Sequence, residues 1–154
     1  MEKNQTPNFT LKTFFVFFLG IFIFQNLAFA LEQKEKAHTT VTTASGLQYT
    51  DLQIGKGLQP QRGDKLLIHY SGYLLNGLKF SSSNDSRLRD PLPFTFTLGS
   101  GEVIPGLEEG IASMKVGGIR NLVIPPQLAY GNKSVEGIPA HATLLFRIEL
   151  LGIR

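Results

Sequence analysis

The chain contains no cysteine and no tryptophan among its 154 residues. Without cysteine there can be no disulfide, no zinc–thiolate site and no thiol nucleophile, so the fold must rest on its apolar core in either redox compartment. The three histidines, His38, His69 and His141, stand far apart, and none has a second histidine at metal-ligand spacing. No metal and no other cofactor is expected. No serine occupies a G-x-S-x-G elbow either. "GSGEVIPG" begins like a dinucleotide fingerprint, but Ile104 stands where the third glycine belongs. Charge of one sign is also lacking. Fifteen Lys and Arg against 12 Asp and Glu leave +3, interspersed, with no basic run of the kind that follows a phosphate backbone. Nucleic acid is not an expected partner. Adjacent Glu108 and Glu109 point to different sides of a helix and cannot act as a carboxylate dyad; they are expected to complement the helix dipole from a solvated face.

A bilayer span needs about 20 consecutive apolar residues. The longest run here, "FFVFFLGIFIF" at 14–24, is shorter and is interrupted by Gln25 and Asn26. Lys3 and Lys12 precede it, and "AFA" at 28–30 follows it. That is the order of a secretory signal peptide. Residues 1–30 are therefore expected to be removed and the protein exported, to a periplasm or as a secreted product, with no membrane insertion after cleavage. Residues 31–44 are polar and threonine-rich, an expected flexible lead-in too short for a long dimerising helix, so a monomer is expected. Residues 45–154 then form one domain, of a size that buries roughly two thirds of its unfolded surface without staples.

From Gly46 onward, short alternating segments are separated by turn residues. "GLQYTDLQIG" is a candidate strand, and "DKLLIHYSGYL" (64–74) puts Leu66, Ile68 and Tyr70 on one face. "LPFTFTLG" alternates Phe94, Phe96 and Leu98 with threonines, and residues 119–125 and 143–153 complete five strands, the last with Phe146, Ile148 and Leu150 in line. One helix is expected. Ile104, Leu107, Ile111 and Met114 form a single stripe. Pro105 suits the first turn, Lys115 is placed near the negative end, and Gly117-Gly118 is the expected stop. An antiparallel sheet packing one face on one short helix makes an α+β domain.

Three long segments, "GDKLLIHYSGYLLNGLKFSSS", "PFTFTLGSGEVIPGLEEGIASMKVGG" and "IPPQLAYGNKSVEGIPAHATLLFRIELL", resemble the FKBP-type peptidyl-prolyl cis-trans isomerases, in register from about Ser45 to the C-terminus. The resemblance implies a five-stranded antiparallel half-barrel wrapped around one short α-helix. It also implies an apolar cavity that takes up the proline ring of a polypeptide. By the motifs, Val103 and Ile104 line that cavity, Leu107 is its floor, and Tyr70, Phe80, Phe94, Ile138 and Phe146 are its walls. The Ile104 N–H and the Tyr130 hydroxyl would anchor the bound peptide. Immunosuppressive macrolides would occupy the same pocket.

Such chemistry needs no nucleophile or metal. An X–Pro bond rotates slowly because planarity carries amide resonance, and an enzyme must only bind the twisted amide better than either planar isomer. Three positions depart from the family pattern. Ser81 stands where an aspartate usually faces the pocket, Leu107 replaces a frequent tryptophan and so weakens expected macrolide binding, and Ala140 replaces a second proline. The insert "NDSRLRDPLP" lengthens the connection to Phe94 and carries Asp85 and Asp90, candidates to supply the missing carboxylate. Ser81 and Leu107 also fit a second class of function, a non-catalytic peptide- or partner-binding module with the same fold.

Overall fold

The computed structural model describes residues 39–83 and 92–154. The expected signal peptide, most of the lead-in, and Asp85 and Asp90 lie outside the described residues. The alternating segments become strands β1 (Thr40–Thr42), β2 (Gln48–Gln53), β3 (Lys65–Leu74), β4 (Lys79–Ser82) and β5 (Phe94–Thr97). Helix α1 (Pro105–Ala112), β6 (Ile119–Ile124), a 3-10 turn (Pro126–Leu128) and β7 (Leu144–Ile153) follow.

All pairings are antiparallel, in the order β1-β2-β6-β7-β3-β4. One edge of β3 pairs with β7 along its length, from Leu66 to Leu74. The other edge is shared: β5 takes Lys65–Ile68 and β4 takes Ser71–Tyr73. The sheet thus has seven strands rather than the five expected. Both additions have physical causes. Asn76-Gly77, with Gly77 at φ 84°, is a hairpin dipeptide that returns the chain from β3 into β4. In β1, which falls inside the expected lead-in, all three residues are exposed, so no alternation marks it. Its β-branched side chains favour extended backbone, and the Thr40 and Thr50 hydroxyls hydrogen-bond across β1 and β2 at 2.7 Å.

The buried faces are those that alternation assigns. Leu66 and Ile68 of β3, Phe96 of β5, Leu122 and Ile124 of β6, and Ile148 and Leu150 of β7 are at most 1 % exposed. Helix α1 lies close against β6 because two of its residues have no side chain. A Cβ on Gly106 would fall 2.3 Å from Ile124 Cγ2, and one on Gly110 would fall 2.7 Å from Leu122 Cδ1. Ile111 and Met114 are buried. Pro105 occupies the first helical turn, as expected. The helix ends at Ala112 with Ser113 as its cap, earlier than Gly117-Gly118, and Lys115 lies beyond it. Arg120 governs that end. Nearly fully buried, it donates through Nη1 to the Gly110 carbonyl at 2.8 Å and to Ser113 Oγ at 2.6 Å. Its Nε and Nη2 form a two-pronged pair with Asp51 of β2 at 2.7 and 2.9 Å, and its Cζ lies 4.0 Å from the centre of the Tyr49 ring. One cation thereby joins β2, β6 and the helix C-terminus.

Candidate active site

A cleft of about 570 Å³ opens between the N-terminal end of α1 and the sheet, within the size range of small-ligand sites. The helix brings its floor and one side: Leu107, buried, with Val103 and Ile104 just before it. Strand β3 contributes Tyr70, β4 contributes Phe80 and Ser81, β5 contributes Phe94, and β7 contributes Phe146. The loop between the 3-10 turn and β7 supplies Tyr130 and Ile138. All ten residues singled out from the sequence line one cleft. Ile68, Gly101, Glu102, Val135 and Glu136 line it too and had not been singled out. Ile68 shares Tyr70's face of β3, which could have flagged it; Val135 and Glu136 lie in irregular chain, where no periodic signal exists.

The aromatic walls hold one another at edge-on angles. Tyr70 meets Phe94 with ring centres 5.6 Å apart at 80°, and Phe80 meets Phe146 at 5.6 Å and 83°, the arrangement that ring quadrupoles favour. Gly72 makes room for the second pair. A Cβ there would sit 2.7 Å from Phe80 Cζ and 3.0 Å from Phe146 Cε1. Three large side chains of the lining stay open to solvent at the rim, Val135 at 39 %, Phe94 at 38 % and Tyr130 at 36 %. Val135 and Ile138 pair through backbone bonds of 3.0 and 2.7 Å, closing the loop above Phe80.

Polar groups are few and their states differ. Ser81 Oγ and the Tyr70 hydroxyl hydrogen-bond each other at 2.9 Å, so Ser81 occupies the phenol of Tyr70 as a neutral partner where the family pattern has a carboxylate. By contrast, neither the Ile104 N–H nor the Tyr130 hydroxyl has an acceptor among the described residues. Glu102 accepts from Ser100 Oγ at 2.8 Å. That bond, assisted by Thr97 and Lys65 against a smaller effect of burial, holds its carboxyl below the usual carboxylate range. Outside the cleft, His69 Nδ1 hydrogen-bonds Ser83 Oγ at 3.1 Å. The two glutamates of α1 do more than balance a dipole: Glu109 accepts from Ser45 Oγ at 2.8 Å, and Glu108 accepts from two backbone N–H groups. No group of three or more His, Asp or Glu that could hold a metal occurs among the described residues.

Among the described residues, an antiparallel sheet and one helix thus frame an aromatic cleft over the helix start. Residues 56–151 match the FKBP-type peptidyl-prolyl cis-trans isomerase family, and the chain belongs to that family. It is 48 % identical over 109 residues to an FK506-binding protein of Neisseria meningitidis serogroup B, covering 70 % of this chain and 96 % of that one. It is also 48 % identical over 125 residues to FK506-binding protein 4 of Dictyostelium discoideum, covering 80 % of this chain but 33 % of the relative; the chain thus spans about a third of that longer protein. The crystal structure of AtFKBP13 superposes with a TM-score of 0.69 at 38 % identity, over 75 % of this chain and 99 % of that one.

Proposed function

We propose that the cleft binds an X–Pro segment of a polypeptide and catalyses rotation about its peptide bond. The observation that carries this is a pair of donors, the Ile104 N–H and the Tyr130 hydroxyl, that have no acceptor among the described residues and belong to a cleft walled by Tyr70, Phe80, Phe94 and Phe146. The proline ring would enter between Tyr70, Phe94 and Phe146 and rest on Leu107. The Ile104 N–H and the Tyr130 hydroxyl then hold the peptide on either side of the rotating bond. At the twisted geometry amide resonance is lost, and the carbonyl swings out of plane while the ring stays fixed. Donors and walls shaped to that geometry favour it over both planar isomers. A thousandfold acceleration requires about 4 kcal/mol, which shape and one or two buried hydrogen bonds can supply. Ser81 serves here by holding the Tyr70 ring through its hydroxyl.

Tyr130→Phe tests the anchor, because the ring stays and only a hydroxyl goes. One neutral hydrogen bond contributes about 0.5–1.5 kcal/mol, so turnover or affinity should fall roughly threefold to tenfold while the melting temperature barely moves. Equal loss of stability and activity would instead mark Tyr130 as a packing residue.

Macrolides of the FK506 type are proposed as a second ligand class for the same cleft. Leu107 offers them less flat surface than tryptophan, and an interface aromatic can be worth about 2 kcal/mol. Calorimetry should therefore show weak binding that Leu107→Trp strengthens; unchanged affinity would contradict it. The physiological role proposed is assistance to the folding of exported proteins. It rests on the order of charge, apolar run and "AFA" over residues 1–30. Protein recovered from an exporting host should begin at Leu31 and sediment as one chain, and an intact Met1 start in the membrane fraction would overturn it.

A further inference from the structure

The entry loop of α1 hangs from one carboxylate. Gly99 and Gly101 both adopt left-handed backbone, φ 81° and 78°, a conformation that turns the chain from β5 toward the helix and that side chains rarely tolerate. Glu108 Oε1 accepts the N–H of Gly99 at 3.1 Å and that of Gly101 at 3.0 Å. Glu108 lies in the first turn of α1, so this oxygen ties the helix to its own entry loop. The residues that leave the loop, from Gly101 to Ile104, form one lip of the cleft and include the Ile104 N–H, which has no acceptor among the described residues. The loop's other acid does not reach the helix: Glu102 Oε1 accepts from Ser100 Oγ at 2.8 Å and Thr97 N–H at 3.4 Å, closing the turn on itself. Among the described residues, Glu108 is the acidic side chain that joins lip to helix.

We infer that Glu108 is a positioning residue of the isomerase site, its carboxylate holding the Gly99–Gly101 turn, and with it the Gly101–Ile104 lip, so that the Ile104 N–H is presented to the bound peptide. The inference rests on the role proposed for Ile104. A loop with two glycines has wide conformational freedom when unheld, whereas a carboxylate makes strong, charge-assisted bonds to backbone N–H groups. A donor fixed before the substrate arrives costs no reorganisation during rotation. If the competent lip geometry fell to about a tenth of the population, apparent affinity for peptide would weaken about tenfold.

The test compares wild type, Glu108→Gln and Glu108→Ala by amide hydrogen exchange at Gly99 and Gly101 and by isomerase kinetics on a proline tetrapeptide. Glutamine keeps an acceptor oxygen and removes the charge. Alanine should raise exchange at both glycines and raise KM about tenfold, with kcat and the unfolding midpoint nearly unchanged. Glutamine should restore most of both losses. Wild-type exchange and KM in Glu108→Ala would overturn the role of Glu108. An inactive wild-type protein would overturn the site assignment and this inference together; failure of the alanine variant to differ from an active wild type would overturn this inference alone.

Discussion

Replacing Phe146 by alanine should cost about 3–5 kcal/mol of stability and remove most of the activity of whatever remains folded. The double loss follows from its position. Phe146 is 6 % exposed and belongs to the core, yet its ring also walls the cleft, 5.6 Å from Phe80 and 6.1 Å from Tyr70. Truncation leaves a void that the neighbouring strands cannot close, and it frees Phe80 and Tyr70 to lean into the space for the proline ring. Urea unfolding would show a lowered midpoint with an unchanged slope, and kinetics at low temperature would report the second loss. A variant destabilised by less than about 1 kcal/mol would mean that the cleft, and not the core, is all that Phe146 serves.

Arg120→Ala should be comparably destabilising but far less selective against catalysis. Removing one member of a buried ion pair costs about 3–5 kcal/mol. Here it also leaves the Gly110 carbonyl and Ser113 Oγ without their donor and strips the Tyr49 ring of its cation. Asp51 keeps 31 % of its side chain exposed and can rehydrate, which places the expected cost toward the lower end of that range. Because Arg120 grips the C-terminal end of α1 while the cleft lies at the N-terminal end, the folded fraction should keep its turnover. Thermal unfolding measured beside isomerase kinetics checks this, and loss of activity without loss of stability would contradict it.

How far the sequence revealed this site depends on what kind of signal each residue carries. Alternation in "KLLIHY" and "LLFRIELL" marks one face each of β3 and β7; Leu66, Ile68, Phe146, Ile148 and Leu150 are buried as marked, while Tyr70 is half-buried at the cleft. Alternation assigns a side chain to a face; it does not tell which end of that face is left uncovered. Phe94 and Phe96 share one face of β5, and the first is 38 % exposed at the cleft while the second is 1 % exposed in the core. Only the family motifs separate them. β1 and β4 escaped the strand pattern because one is three exposed residues and the other four residues behind a tight turn. Arg120 carried no signal at all, since its partners Asp51, Gly110 and Ser113 come from distant parts of the chain. Glu108 had a sufficient local explanation in the helix dipole, which concealed its hold on Gly99 and Gly101.

The central claim is that the aromatic cleft over the helix start lowers the barrier to X–Pro rotation. The most direct measurement is the cis-to-trans exchange rate of a proline tetrapeptide, followed by NMR exchange or coupled proteolysis, with and without the purified protein. The rate should rise in proportion to protein concentration, and Tyr130→Phe should lower that slope roughly threefold to tenfold. A protein that unfolds cooperatively, yet leaves the exchange rate at its uncatalysed value even when Ser81→Asp restores the family's carboxylate, would contradict catalysis and leave a peptide-binding module.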